Sequence, residues 1–451
     1  MVIVPARKLI IWFGVTVLPF ALAAGLVAET RVLSVAIMAV ASLIFAGDAI
    51  LAPLRFRGLR IELPEAAICM TLGREGVLRI RVGCEEKRVP KVLHLGLALP
   101  RGLSAREPVV RVQLPADADW FTVVYSIDAT QRGRYTLSRC YAEISSPLGF
   151  WQARKAFASS CEVRVYPDLM RDGRDVSALF LTRGSVGMHA QRQVGRGKEF
   201  ERLREYAPGD NYDEIYWKAT ARRGAPITKV FQIERTQEVY VIVDTSRMSA
   251  RLSGGVGNDS VAARTLLDRY IASALILGLA AEKQGDLFGL LTFSDRVHTF
   301  VRARHGRRHY GVCRDALYTL TPSMVSPDFS ELFSFIRLRL RRRALLVFLT
   351  SLDDRAVAEQ FTQDLGMICR HHVVLVAMAR PATAVPLFAG DAPVTDDDVY
   401  ARLGGHVLWE QLMQLQRALE KHSVRLSLVD ADTLAGETVT RYMNVKQRQL
   451  V

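Results

Sequence analysis

The chain has no Cys-x-x-Cys pair, no phosphate-binding loop of the form Gly-x-x-x-x-Gly-Lys-Ser/Thr, no His-Glu-x-x-His, no internal repeat and no low-complexity tract. Its six cysteines are scattered at 69, 84, 140, 161, 313 and 369, away from any histidine cluster, which argues against a zinc site or a disulfide framework and for reduced structural thiols. Without the phosphate loop, an ATPase activity in this chain is not expected. No Ser-His-Asp or Cys-His arrangement gives a nucleophile a positioned base. His189, Glu199, Asp210 and Glu234 are available as charges, and a satisfied structural network accounts for them better than catalysis does. The basic run RLRLRRR at 337–343 lacks interleaved aromatics and belongs to no known binding module, so it reads as a solvated face and no nucleic-acid partner is expected.

Acidic residues are also in deficit, 46 against 60 Lys and Arg, for a net charge of +14. A basic balance suits either nucleic acid or an anionic membrane surface, and the N-terminus favours the membrane. Apolar runs at 9–28 and 32–53 are each close to the length that crosses a hydrocarbon core, and the short polar break at 29–31 makes them a helical hairpin. A cleavable signal peptide would account for the first run alone, because Arg7 and Lys8 precede it, but not for the second. Arg7 and Lys8 before the hairpin, with Arg55, Arg57 and Arg60 after it, place both ends in the cytoplasm by the positive-inside rule. Asp48 falls near the inner end of the second run, where it can reach the interface or pair with Arg55.

With 451 residues, 49% hydrophobic and 24% charged, the chain can bury two or three cores. Short alternating segments punctuated by turns over 55–167 predict a β-rich, sandwich-like domain without a catalytic constellation. In it, Arg132 to Leu137 reads as a hairpin turn, and Ser146 to Trp151 as a connecting loop whose aromatics pack on the sheet. Residues 168–237 read as a connector rich in turn chemistry. From 238 to 435 apolar strands alternate with helices: strands at 239–245, 286–293, 344–350, 373–379 and 424–429, and helices at 259–283, 307–318, 328–340, 355–370 and 397–421. One hairpin strand at 296–301 breaks the pattern. This predicts an α/β domain with a doubly wound, mostly parallel sheet covered on both faces. Residues 436–451 read as a C-terminal tail.

The run Val239 to Asp244 ends in a carboxylate and hydroxyls, at the strand end where open α/β sheets place ligands. Mg²⁺ takes carboxylate and hydroxyl oxygens, and Asp244 and Ser246 could offer two, with Asp353 or Asp354 on a second loop adding more. Helix capping by the same residue types is the competing reading.

Gly195-x-Gly197-x-Glu199-Phe200, then Arg204-Glu205-Tyr206-x-Pro208-Gly209-Asp210, then Trp217-Lys218-x-Thr220-Ala221-Arg222 resembles the signature of the bacterial "domain of unknown function 58" family. The resemblance extends over nearly the whole chain. It implies a membrane-attached protein with a von Willebrand factor A-like domain and, in many relatives, partnership with a MoxR-type AAA+ ATPase in assembly. A bacterial inner-membrane location with the soluble domains in the cytoplasm follows. The metal site of such domains is an Asp-x-Ser-x-Ser loop, a hydroxyl on a middle loop and a later Asp. Carried onto this sequence, it would comprise Asp244, Ser246, Ser249, Ser326 and Asp353, but Met248 stands at the second serine position and Ser351 where a carboxylate is usual. Arg247 could place a cation beside it. The resulting expectation is a membrane-anchored scaffold or adaptor, not an enzyme, with Arg204, Arg222, Asp210 and Glu199 paired around Trp217 and Tyr206. The alternative is a metal-dependent hydrolase using the carboxylates at the sheet edge.

Overall fold

The computed structural model describes residues 1–26, 31–84, 92–114, 120–172, 194–207, 212–232, 237–253, 264–389 and 395–448. It divides at 168/169 into two compact units.

The N-terminal unit opens with strand β1 (Val2–Pro5) and helices α1 (Arg7–Leu26) and α2 (Arg31–Leu51), both helices being long and apolar enough to cross a membrane. Strands follow: β2 (Leu59–Glu62), β3 (Ile68–Thr71), β4 (Glu75–Cys84), β5 (Val92–Leu97), β6 (Leu103–Ala105), β7 (Val109–Gln113), β8 (Trp120–Ala129), β9 (Gly133–Ser145) and β10 (Trp151–Tyr166). They form a sheet of order β1-β10-β9-β5-β7, with β3 also on β10, and a second sheet of order β2-β4-β8-β6. Alternation sends Leu78, Ile80 and Val82 of β4, and Leu137, Cys140, Ala142 and Ile144 of β9, into one shared core. The break in alternation between Leu137 and Cys140 matches a register shift where β10 skips from Ala158 to Cys161.

In the C-terminal unit, β11 (Val194–Glu205) and β12 (Ile227–Gln232) pair as a two-stranded antiparallel sheet around helix α3 (Trp217–Arg223). The main sheet has six strands: β13 (Glu238–Asp244), β14 (Leu287–Phe293), β15 (Val297–Arg304), β16 (Ala344–Leu349), β17 (Val373–Ala379) and β18 (Arg425–Val429). The order is β15-β14-β13-β16-β17-β18, parallel throughout except for the β14/β15 hairpin. Helices α4 (Leu266–Lys283), α5 (Arg307–Leu317), α6 (Phe329–Arg339), α7 (Arg355–Asp364), α8 (Asp396–Lys421) and α9 (Leu434–Gln447) cover it. Val239, Val241 and Val243 point into a core with α4 and α9, while Tyr240 and Ile242 point into another with α6, α7 and α8. The unit is therefore mixed α/β with helices on both faces. Gly289 is required where it stands, because a Cβ there would meet the Tyr240 ring at 2.4 Å.

Two expectations are corrected. Residues 436–451 are not a tail: most of them continue α9, whose Leu434, Ala435, Val439, Tyr442 and Val445 recur at helical spacing and are buried. The helix expected from 259 starts at Leu266, where Thr265 and Asp268 form a capping box, and residue 259 itself lies outside the described residues.

Candidate functional site

The sheet order puts β13 between β14, which follows it in the chain, and β16, which lies on its other side. The carboxyl end of β13 is thus the topological switch point, where the connections diverge and leave a crevice. Asp244 closes that strand and is fully buried. One of its oxygens accepts the Ser246 N–H at 2.8 Å, and the other accepts the Thr350 hydroxyl at 2.6 Å from the end of β16. Burial raises the Asp244 pKa above its ordinary value, and the bonds from Thr350 and Ser246 offset only part of that rise.

The loop after β13 is spent on its own geometry. The Ser246 hydroxyl caps the following short 3₁₀ turn by accepting Met248 N–H at 3.3 Å, and Ser249 donates its hydroxyl to the Ser246 carbonyl at 2.8 Å. Met248, at the second serine position, is buried. The loop at 321–328 comes alongside through Ser323 N–H to Thr245 O at 2.7 Å and Arg247 N–H to Val325 O at 2.9 Å. Ser326 is on that loop and is exposed, and none of its side-chain hydrogen bonds to Asp244 or Ser246 is among those described. On the β16 side, Asp353 accepts Ser351 Oγ at 2.8 Å and the Arg251 guanidinium. Asp354 pairs with Arg247 at 3.4 Å and also caps α7.

The expected ligand set is therefore brought to one sheet edge, with Asp244, Ser246 and Ser249 buried there, Asp353 beside them, and Ser326 exposed on the loop that comes alongside. Arg247 does place a cation beside the site, on Asp354, and a second cation, Arg251, meets the Asp353 carboxylate. Tyr270 was missed altogether: fully buried in α4, its phenol lies in the field of Asp244 and Asp353, which together with burial hold it well above the ordinary tyrosine range. Nothing in the sequence marks it, because Tyr270 occupies an ordinary apolar position of α4. These donors do not fit a divalent ion. Asp244 has both oxygens engaged, Asp353 already holds a guanidinium, and Ser351 supplies no charge.

The signature residues are distributed differently. Gly195, Gly197, Glu199 and Phe200 lie in β11, with Glu199 opposite Gln232 and Phe200 opposite Phe231. Arg204 sits opposite Thr228, Tyr206 donates its N–H to Pro226 O at 2.9 Å, and its ring lies 6.0 Å from that of Tyr212. Thr220 braces the segment, accepting Ile227 N–H at 3.0 Å and donating to Tyr216 O at 3.1 Å. Ala221 and Arg222 are exposed and Trp217 is 68% exposed, and the expected pairing of Arg204 and Arg222 with Glu199 and Asp210 falls on acidic side chains outside the described residues. Pro208, Gly209, Asp210, His189 and Glu234 lie outside the described residues.

Elsewhere, burial pushes the thiols of Cys140, Cys313 and Cys369 up to about 11, so they remain protonated and unreactive at neutral pH. A cleft of about 260 Å³ between α8, β18 and α9 is lined by Arg380, Trp409, Met413, Gln416 and Arg441 among others, with no paired acid and base.

Residues 202–401 match the model of the family described as "Protein of unknown function DUF58", which bears out the resemblance read from the signature. Among curated proteins, an uncharacterised protein of Mycobacterium tuberculosis is 26% identical over 212 residues, covering 47% of this chain and 64% of its own. The uncharacterised protein YeaD of Bacillus subtilis is 25% identical over 129 residues, covering 28% of this chain and 32% of its own. The chain thus spans less than two thirds of the length of either relative. Similar solved structures include an aerotolerance-related membrane protein from Bacteroides fragilis, at 15% identity and a TM-score of 0.29, covering 46% of this chain and 98% of that one. The conserved hypothetical protein BatB from Bacteroides thetaiotaomicron gives 12% identity and a TM-score of 0.24, covering 42% and 98%.

Proposed function

We propose that the chain is a protein-interaction scaffold, held by its two apolar helices in the bacterial inner membrane with its soluble units in the cytoplasm. Its α/β unit is of the von Willebrand factor A-like kind. Its partner is a MoxR-type AAA+ ATPase working in protein or complex assembly, as the family resemblance implies. The observation that supports this reading most is the outward placing of the signature residue Trp217. It is 68% exposed, and the nearby Tyr212 is 75% exposed, on a segment whose backbone is held by the β11/β12 ladder and by Thr220. Large aromatics on a rigid polar frame act as interface anchors, because they contribute contact area while losing little rotamer freedom.

Docking in this reading needs no metal. Mg²⁺ bridging and metal-dependent hydrolysis would both set a divalent cation against the Arg251 guanidinium that Asp353 already holds. Two measurements test the proposal. With the full chain in nanodiscs and the purified ATPase, Trp217→Ala should weaken binding by about tenfold, the cost of an interface aromatic, while Phe388→Ala, on a distant exposed loop, should not. Failure of the wild-type chain to bind would remove the ATPase as partner. Isothermal titration with Mg²⁺ and Mn²⁺ should give no saturable heat; binding that Asp244→Asn abolishes would overturn the metal-free form and favour the hydrolase.

A further inference from the structure

The sequence predicts that the loop at 146–151 packs its aromatics on the sheet, as Trp151 does, and that Asp48 reaches the interface or pairs with Arg55. The turn between β9 and β10, residues 146–150, and Asp48 also meet each other. Asp48 stands one turn before the end of α2 and is 2% exposed. It accepts the Ser146 hydroxyl at 2.6 Å, the Leu148 N–H at 3.0 Å and the Phe150 N–H at 3.2 Å. The Ser146 hydroxyl in turn accepts Trp151 N–H at 3.0 Å. Three more contacts run the same way. The Trp151 indole donates to Phe45 O at 2.9 Å, the Phe45 and Phe150 rings meet edge to face at 4.9 Å, and Arg55 donates to Ser145 O at 2.9 Å.

The other helix starts from the same turn. Strand β1 pairs with β10 from Val2↔Arg154 to Pro5↔Trp151, and Ala6 donates its N–H to Phe150 O at 2.8 Å, just before α1 begins. Gly149 takes a left-handed φ of +80°, and a Cβ added there would come within 3.6 Å of Lys8 Nζ. A carboxylate near the end of an apolar helix is costly unless its acceptors are filled, and here they are filled by backbone and hydroxyl donors of one turn. That turn leaves Leu148 54% exposed, and Arg7 and Lys8 at the start of α1, Ile50 and Leu51 at the end of α2 and Leu54 just after it are exposed as well.

We propose that the β9–β10 turn is a membrane seat: latched to the end of α2 by Asp48, it lays Leu148 on the bilayer surface and Lys8 among anionic headgroups, so that the β-rich region rides rigidly on the hairpin. The occupant is lipid because the turn is hydrogen-bonded to the end of one apolar helix and to the start of the other, and the Lys8 ammonium stands against Gly149. The inference rests on the membrane anchoring proposed above, and the experiment separates the two. A photo-cross-linking phenylalanine analogue is placed in place of Leu148 or of Leu22, which is exposed in the C-terminal third of α1, in the full chain in phosphatidylglycerol-containing nanodiscs. Both positions should cross-link to lipid. Cross-linking from the Leu22 site but not the Leu148 site overturns the seat and leaves the anchor standing; none from the Leu22 site overturns both. Asp48→Asn, which turns an amide N–H toward one of the three donors, and the milder Ser146→Ala should each lower the Leu148 cross-link several-fold at an unchanged Leu22 cross-link. An unchanged Leu148 yield in both variants would refute the latch.

Discussion

Asp48 and Asp244 are both buried carboxylates at the end of an apolar element, and they are satisfied in opposite ways. Asp48 draws all three donors from a turn 98 to 102 residues further along the chain. Asp244 takes one from the residue two positions on and one from the end of a neighbouring parallel strand. The first carboxylate joins a helix to a turn through every donor it has, and the second divides its bonds between its own loop and the end of β16. A third buried acid, Asp286, resembles the first: it accepts Gln237 N–H at 3.2 Å, the Tyr442 hydroxyl and Lys446 Nζ at 2.9 Å, tying α9 to the sheet. A buried carboxylate therefore marks a junction wherever a donor comes from afar: at Asp48 and Asp286 every donor does, while at Asp244 only Thr350 does and the other donor is local.

The comparison breaks most visibly at Asp48. Asp48→Leu leaves the buried Ser146 hydroxyl and two part-buried N–H groups without their acceptor, which costs about 3 kcal/mol. Hydrogen exchange at the Leu148 and Phe150 amides in the detergent-solubilised chain should accelerate by about a hundredfold, the rate equivalent of that cost. Unchanged protection would mean that the turn holds its shape without the carboxylate.

A smaller effect is expected at Asp244, and it depends on pH. The folded-state pKa is raised above the unfolded value, so the stability this group contributes is fully present below the unfolded pKa and is lost as pH rises through the folded one. Asp244→Asn keeps both hydrogen bonds, because the Thr350 hydroxyl can accept as well as donate. Denaturant unfolding of wild type and variant, followed from neutral pH downward, should show the wild type gaining on the variant as pH falls toward the ordinary aspartate range. A constant difference would show that the carboxylate ionises in the folded protein no less easily than in the unfolded one.

The least change in stability is expected in the signature segment. Trp217→Ala should alter unfolding free energy by no more than about 0.5 kcal/mol, the usual bound for an exposed side chain. A loss above 2 kcal/mol, of the size seen for buried aromatics, would return Trp217 to the bracing role first expected of it.

Much of the α/β unit was legible because its strands are continuous apolar runs and its helices carry a buried stripe; the helices read at 307–318 and 328–340 correspond to Arg307–Leu317 and Phe329–Arg339. The place of Asp244 was legible for the same reason, since the apolar run stops at it. The partner of Asp353 was not. Arg247 and Arg251 are equally plausible by spacing, and the 3₁₀ turn at Arg247–Ala250 decides that Arg251 reaches Asp353 while Arg247 reaches Asp354. Helix α9 was missed although its apolar spacing is regular, because the stretch is short and follows the last strand, where a tail is the ordinary expectation.

The sequence by itself determined the two long apolar helices, the alternation of strand and helix, and the carboxylate closing β13, because each is a one-dimensional pattern of apolar and polar residues. Only the tertiary structure decided which polar groups meet. A hydrogen bond spans about 3 Å, and nothing in the local pattern records that a turn a hundred residues away comes within that distance of Asp48.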